Sequence, residues 1–156
     1  MILPPFETVL VEHGPDVHRY LVAGVGRQDA DDCYQEVMVA ALRTYPTLTD
    51  ASNLRGWLFT IAYSKAIDSH RGRKRRAIPS GDPIDGQAAP AGELTGDDEV
   101  WGAVRQLPPM QRAAVLHRFL HDLPFRDIGA ILGCSEPAAR QNVRAGLATL
   151  RKDIQR

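Results

Sequence analysis

Between Ile78 and Asp98 the chain has little with which to build a core. The stretch holds Pro79, Pro83, Pro90, Gly81, Gly86, Gly92 and Gly96, is acidic, and has almost no large apolar residues. Such a composition cannot bury enough apolar surface to offset the entropy of ordering, so it reads as a flexible linker. Residues 77–97 therefore divide the 156-residue chain into two arms, 1–76 and 98–156. Apolar residues recur at helical spacing in both arms, and neither shows sustained period-two alternation. The expected fold class is all-α, with no internal repeat.

Charge follows the same division. Lys and Arg against Asp and Glu number ten to nine over residues 1–76, none to six over 77–99 and nine to four over 100–156, so a net charge of zero conceals a −6 segment (77–99) followed by a +5 segment (100–156). Lys65 to Arg76 alone carries six basic residues against Asp68. A basic run and a basic C-terminal third point toward nucleic acid, although a solvated charged face carries the same signature. No run reaches the roughly 18 apolar residues that span a bilayer, and Met1 to Phe6 lacks the basic start and long apolar core of a signal peptide. Two distant cysteines, Cys33 and Cys134, make no disulfide framework. A cytoplasmic protein without membrane insertion is expected.

The N-terminal arm reads as a three-helix bundle. The first helix runs from Phe6 to Val25, dented near Gly14-Pro15. The second opens at Asp29, with acidic residues where the helix dipole favours them, and runs to Thr44. Its core stripe is Ala30, Cys33 with Tyr34, Val37 and Ala41. Tyr45 to Asn53 is a loop. The third helix buries Leu54, Trp57, Leu58, Ile61 and Ala62 and ends near Arg71-Gly72.

Four helices are expected in the C-terminal arm: Asp98 to Gln106, Pro109 to Leu120, Pro124 to Leu132, and one capped by Ser135. In the last helix Ala139, Val143, Leu147 and Leu150 form a stripe, and Pro137, Ala138, Gln141, Arg144 and Ala148 face away. A short helix with a small Gly129, a turn at Gly133-Cys134 and an amphipathic helix make the pattern of a helix-turn-helix. Its exposed face then suits a DNA major groove; an ordinary helical hairpin is the plainer reading.

Three stretches resemble a known family. DADDCYQEVMVAAL (Asp29 to Leu42) is similar to the acidic helix of bacterial sigma factors of the minimal extracytoplasmic-function class, in the sigma-70 family. LRGWLFTIAYSKAIDSHRGRKRR (Leu54 to Arg76) resembles that family's W-L-x-x-I-A…D-x-x-R helix. LPPMQRAAVLHRFLHDLPFRDIGAILGCSE (Leu107 to Glu136) resembles its minus-thirty-five reader. The likeness spans nearly the whole chain, in order, around an acidic linker.

The resemblance implies a transcription initiation factor without chemistry or cofactor. Such a protein binds core RNA polymerase, directs it to promoter DNA and aids melting, and is usually restrained by an anti-sigma factor. The N-terminal domain would dock on the β′ clamp helices and hold the minus-ten element. The C-terminal domain would pack on the β flap and read the minus-thirty-five element. Docking then falls to Asp29, Asp32, Gln35, Glu36, Val39 and Arg43. Melted minus-ten DNA falls to Asn53, Tyr63, Ser64 and Lys65 with the basic run Arg71, Arg73, Lys74, Arg75 and Arg76, which would track the strand. The minus-thirty-five element falls to Arg126, Ser135, Glu136, Ala138, Arg140, Gln141 and Arg144, with Arg112 as a further phosphate contact. Gln pairs with adenine and Arg with guanine through two hydrogen bonds, whereas Glu136 either accepts from cytosine or complements the helix dipole. The chain departs from the family at Tyr63-Ser64, where an Arg-Asn pair is common, and at Asn142 and Ala145, where basic residues are common.

Other chemistry finds little support. Asp29, Asp31, Asp32 and Glu36 lack the loop glycines of a cation site, and His13, His18, Cys33, His117, His121 and Cys134 are too dispersed for zinc. No metal, no nucleotide loop and no catalytic group is expected. Two rival readings remain open at this point: a stand-alone helix-turn-helix regulator, and a sigma-like adaptor that has lost promoter reading.

Overall fold

A computed structural model describes the backbone of residues 2–77 and 98–154, and the side chains of 2–69 and 99–154. Of the expected linker, 77–97, Ala77 is the last residue of α3 and residues 78–97 lie outside the described residues. Among those described there are seven α-helices and no strand. In chain order these are α1 (Phe6–Val25), α2 (Arg27–Thr44), α3 (Leu54–Ala77), α4 (Asp98–Arg105), α5 (Pro109–Leu120), α6 (Phe125–Leu132) and α7 (Glu136–Ile154), with a 3-10 turn at Tyr45–Thr47.

Helix boundaries follow local chemistry. Between α1 and α2 only Gly26 intervenes, at φ +92°, a conformation that glycine adopts without Cβ strain. With the chain so reversed, α2 starts two residues earlier than the acidic signal at Asp29 indicates. Pro15 lies inside α1, and the helical assignment runs unbroken through the expected dent. Near its C-terminal end α3 continues through Gly72 to Ala77, so the basic run is helical rather than a tail. Pro109 opens α5 at the position where its missing N–H matters least.

The N-terminal core is Val9, Val17 and Leu21 of α1 against Ala30, Cys33, Val37 and Ala41 of α2 and Leu58, Ala62 and Ala66 of α3. Small residues along α2 allow close approach of its neighbours. Trp57 is half-buried and packs beside Tyr45, with ring centroids 5.9 Å apart. It packs against the core with one side still open, rather than lying within the core as its spacing indicates. In the C-terminal arm Leu107, Ala113, Ala114, Leu116, Ile128, Ala139 and Val143 are buried.

The arms do not stand apart. Helices α1 and α3 pack on α5 and α6, and α1 also meets α4. Phe59, off the expected stripe of α3, is fully buried because this side of the helix faces the other arm. Its ring lies 4.8 Å from that of His117 and 4.6 Å from that of His121. Residues Arg112 through His117 are all buried, so α5 is covered on every side over that stretch. Helices apolar on one face alone do not behave this way; burial all round marks a central element.

Candidate functional site

The face of α2 opposite its core stripe carries Asp32, Gln35, Glu36, Val39 and Arg43, all exposed. These five line one open groove with Ala40 and with Lys65 of α3. Asp29 is not among them: it is half-buried and lines a separate groove with Gly24, Ser69, Gly102 and Arg105, toward α4. Val39 is 49% exposed and Leu42 57%, so acidic and apolar surface alternate along one helix. Beneath them Cys33 has its thiol pushed up to about 12, first by burial and then by the Glu36 and Asp29 carboxylates. It is an unreactive core side chain.

The expected minus-ten residues occupy several settings. Asn53 caps α3, its Oδ1 accepting from the Gly56 N–H at 2.9 Å. Asn53 is itself exposed, with its Nδ2 lying close over Gly56. Ser64 is exposed and Lys65 joins the α2 groove. Tyr63 is half-buried near Cys134, and burial raises its hydroxyl above the usual tyrosine range. Arg71, Arg73, Lys74, Arg75 and Arg76 extend the last turns of α3, and their side chains lie outside the described residues.

The helix-turn-helix geometry is built from α6, a turn and α7. Gly133 takes the left-handed conformation, at φ +75°, that ends α6. A Cβ on Gly129 would stand 2.6 Å from the Cys134 carbonyl oxygen, so only glycine allows the turn to close this tightly. Ser135 Oγ then accepts from the Ala138 N–H at 3.1 Å, capping α7. Gln141 and Arg144 project into solvent opposite buried Ala139 and Val143. Ala138 is half-buried, and its carbonyl accepts from Asn142 Nδ2 at 3.0 Å, which gives Asn142 a local role. Glu136 lies 3.5 Å from Arg140, whose guanidinium also sits 5.0 Å from the centre of the Phe125 ring. Arg118 approaches the same ring at 4.7 Å. Arg126 is 81% exposed at its side chain, close to Asp127 at 3.8 Å, a contact too open to hold it fast.

One residue offered as a phosphate contact has another role. Arg112 is 6% exposed and donates to the Leu107 carbonyl at 2.9 Å, fastening the turn between α4 and α5. In this packed form its guanidinium is held against the chain's own backbone rather than offered to a phosphate. Sequence alone gives His117 and His121 no role, beyond setting them aside as too dispersed for zinc. Both are buried where the arms meet, and the ring nitrogens of both lack a hydrogen-bond partner. Their i,i+4 spacing inside an apolar run was the available signal. Among the described residues no group of three or more His, Cys, Asp or Glu is placed to hold a metal, and no helix is long and apolar enough to cross a membrane.

Comparison with known proteins follows the two arms. The family model for sigma-70 region 2 matches residues 10–76, and that for sigma-70 region 4 matches residues 97–150. RNA polymerase sigma factor SigV of Bacillus subtilis is 24% identical over 145 residues, covering 92% of this chain and 87% of its own. ECF RNA polymerase sigma factor SigF of Caulobacter vibrioides is 31% identical over 129 residues, covering 82% of this chain and 72% of its own. The sigma factor RpoE from Bartonella quintana, solved in complex with the anti-sigma factor NepR, shares the fold with a TM-score of 0.79 at 21% identity, over 96% of each chain. With regions 2 and 4 present in order on the helices that carry the α2 groove and the helix-turn-helix, the chain belongs to the extracytoplasmic-function RNA polymerase sigma factors, which are transcription initiation factors.

Proposed function

We propose that the exposed groove of α2 docks core RNA polymerase, that α3 holds the minus-ten strand and that α7 reads the minus-thirty-five element. The arrangement of the helix-turn-helix carries this reading: a capped α7, fixed against α6 by the glycine-dependent turn, presents Gln141 and Arg144 to solvent. In a major groove those two side chains meet base edges, and Arg126 and Arg140 lie at the margins, where phosphates run. Ser135 acts as a cap and Ala138 as packing beside the reading face.

Docking rests on Asp32, Gln35, Glu36, Val39 and Arg43, with Lys65 at the edge of the same groove; Asp29 supports α2 from the side. Carboxylates around an exposed valine suit a partner surface of basic and apolar residues. The amide of Asn53 and the exposed Ser64 supply base-edge and backbone contacts to a melted strand, and the basic end of α3 supplies the cationic track. The protein performs no chemistry of its own and works in the cytoplasm, where polymerase is. An anti-sigma factor is a further partner, by analogy with RpoE, which was solved in complex with the anti-sigma factor NepR.

The direct test is charge reversal on α2. Asp32→Lys with Glu36→Lys should abolish co-purification with core polymerase while the far-ultraviolet helical spectrum stays native. Undiminished binding by the natively folded variant would place docking on another surface.

A further inference from the structure

The two arms meet through a cluster of rings. His117 of α5 is stacked on Tyr20 of α1, with centroids 4.5 Å apart and planes 11° from parallel. Phe59 of α3 meets the same histidine edge-on and lies tilted over His121, one turn further along α5. His117 is fully buried and His121 is 8% exposed. The ring nitrogens of His117 and His121 lack hydrogen-bond partners, although the Asp16 backbone lies near enough to His121 to favour its protonation. Two imidazoles thus serve as apolar rings at the seam, a role they can fill only while neutral.

On the reading of the chain as a promoter-reading sigma factor, this seam has a consequence. The elements named minus ten and minus thirty-five lie about 25 base pairs apart, or roughly 85 Å along DNA at 3.4 Å per step. A compact chain of this length measures roughly 40 Å across. Reading both elements at once therefore requires the arms to part. The packed form also sets Tyr63, of the minus-ten set, beside Cys134 in the helix-turn-helix turn. We propose that the packed arms are a self-masked state of the free chain, latched by neutral His117 and His121, and that protonation of these two histidines opens it.

Every element around the pair contributes charge. From α1 come Asp16, Arg19 and Tyr20; from α3 come Arg55 and, next to Tyr20, Tyr63; from α5 itself comes Arg112. Asp16 favours a protonated His121, but it is paired with Arg55 at 3.2 Å, and Arg55 and Arg19 both oppose it. Burial dominates. It takes His117 from an ordinary 6.5 down to about 3, aided by His121 and Arg55, and His121 down to about 4. Both values are depressed, so the closed form binds fewer protons than an open form with rings in water. Closure is consequently unaffected well above pH 6.5 and weakens as pH falls below it. With both rings returning to about 6.5 on opening, the equilibrium shifts toward the open form about tenfold from pH 7 to 6 and a few hundredfold from pH 7 to 5.

Small-angle scattering of the full chain, without polymerase or DNA, measures the opening. Its radius of gyration should rise reversibly between pH 7 and pH 5 with unchanged helical circular dichroism. His117→Phe with His121→Phe keeps the rings and removes the titration, so this variant should stay compact at both values. Proton resonances of the two wild-type rings, which need no variant, should titrate well below the solvent-exposed histidines. A constant radius, expansion accompanied by helix loss, equal expansion of the double variant, or ring titration near 6.5 would each overturn the latch. Failure of promoter-directed transcription would overturn the sigma-factor reading instead, leaving the scattering result intact.

Discussion

Three glycines in the C-terminal arm give a prediction whose outcome differs at each site. Alanine is favoured over glycine within a helix by about 1 kcal/mol. At Gly102 in α4 a Cβ meets nothing within 4 Å, so Gly102→Ala should retain most of that gain. At Gly129 the Cβ meets the Cys134 carbonyl oxygen at 2.6 Å and two backbone atoms of Ser135 at 3.2 Å. Backbone cannot swing aside as a side chain can, and overpacking of this kind costs about 1–3 kcal/mol. With a backbone contact as short as 2.6 Å the cost lies in the upper part of that range, about 2–3 kcal/mol, so the net loss for Gly129→Ala is about 1–2 kcal/mol. Relief can come only by moving the turn, which carries the Ser135 cap and the start of α7. At Gly133 there is open space, but φ is +75°, and a Cβ there costs about 1–2 kcal/mol through local strain without pressing on α7. Urea denaturation of the full chain and transcription from promoters with and without a good minus-thirty-five element separate the three. Gly129→Ala should lose both stability and minus-thirty-five preference, Gly133→Ala stability alone, and Gly102→Ala neither. A Gly129→Ala protein as stable as its parent, with intact preference, would refute the close-packed turn.

Other outcomes follow from the same geometry. Gln141→Ala with Arg144→Ala should leave stability almost unchanged and lower discrimination at the upstream element by roughly 1–3 kcal/mol per lost bidentate contact, read with each base varied in turn. Equal loss on every template, including one already melted at minus ten, would assign these residues to folding or docking. Arg112→Ala should destabilise the C-terminal arm by about 1–3 kcal/mol, since the buried Leu107 carbonyl loses its donor, whereas Arg126→Ala should weaken DNA binding at unchanged stability. Asn53→Ala should lose the α3 cap, worth about 1 kcal/mol, while Asn53→Asp keeps the cap and removes the amide N–H donors; thermal melts and capture of a pre-melted template distinguish the two roles.

Most of the architecture was legible because helices announce themselves in one dimension. The limits of α1, the Ser135 cap, the Gly129 turn and the buried stripe of α2 all depend on residues within a few positions of one another. The exposed faces of α2 and α7 were legible as the complements of those stripes. Burial between the arms was not. Phe59, Arg112, His117 and His121 lie within or beside apolar runs, but only the far arm decides whether a second helix face is covered. Asp29 shows the limit of reading a helix face from carboxylates alone: it shares the acidic segment but turns toward α4 and Arg105. Tyr63 carries the same lesson, since its place against the turn of the other arm depends on contacts far away in sequence.

The measurement closest to the central claim is transcription reconstituted from purified core polymerase, this chain and a pool of randomised promoters. The account predicts initiation from a specific two-part sequence, only with both core enzyme and chain present. The chain alone should bind those promoters weakly, because its net charge is zero and its acidic segment competes with phosphate for the basic arms. Selective initiation that survives loss of the Gln141 and Arg144 side chains without any change in upstream preference would contradict the assignment of α7. Tight, sequence-specific promoter binding at physiological salt with no polymerase present, and no initiation when polymerase is added, would contradict the account as a whole.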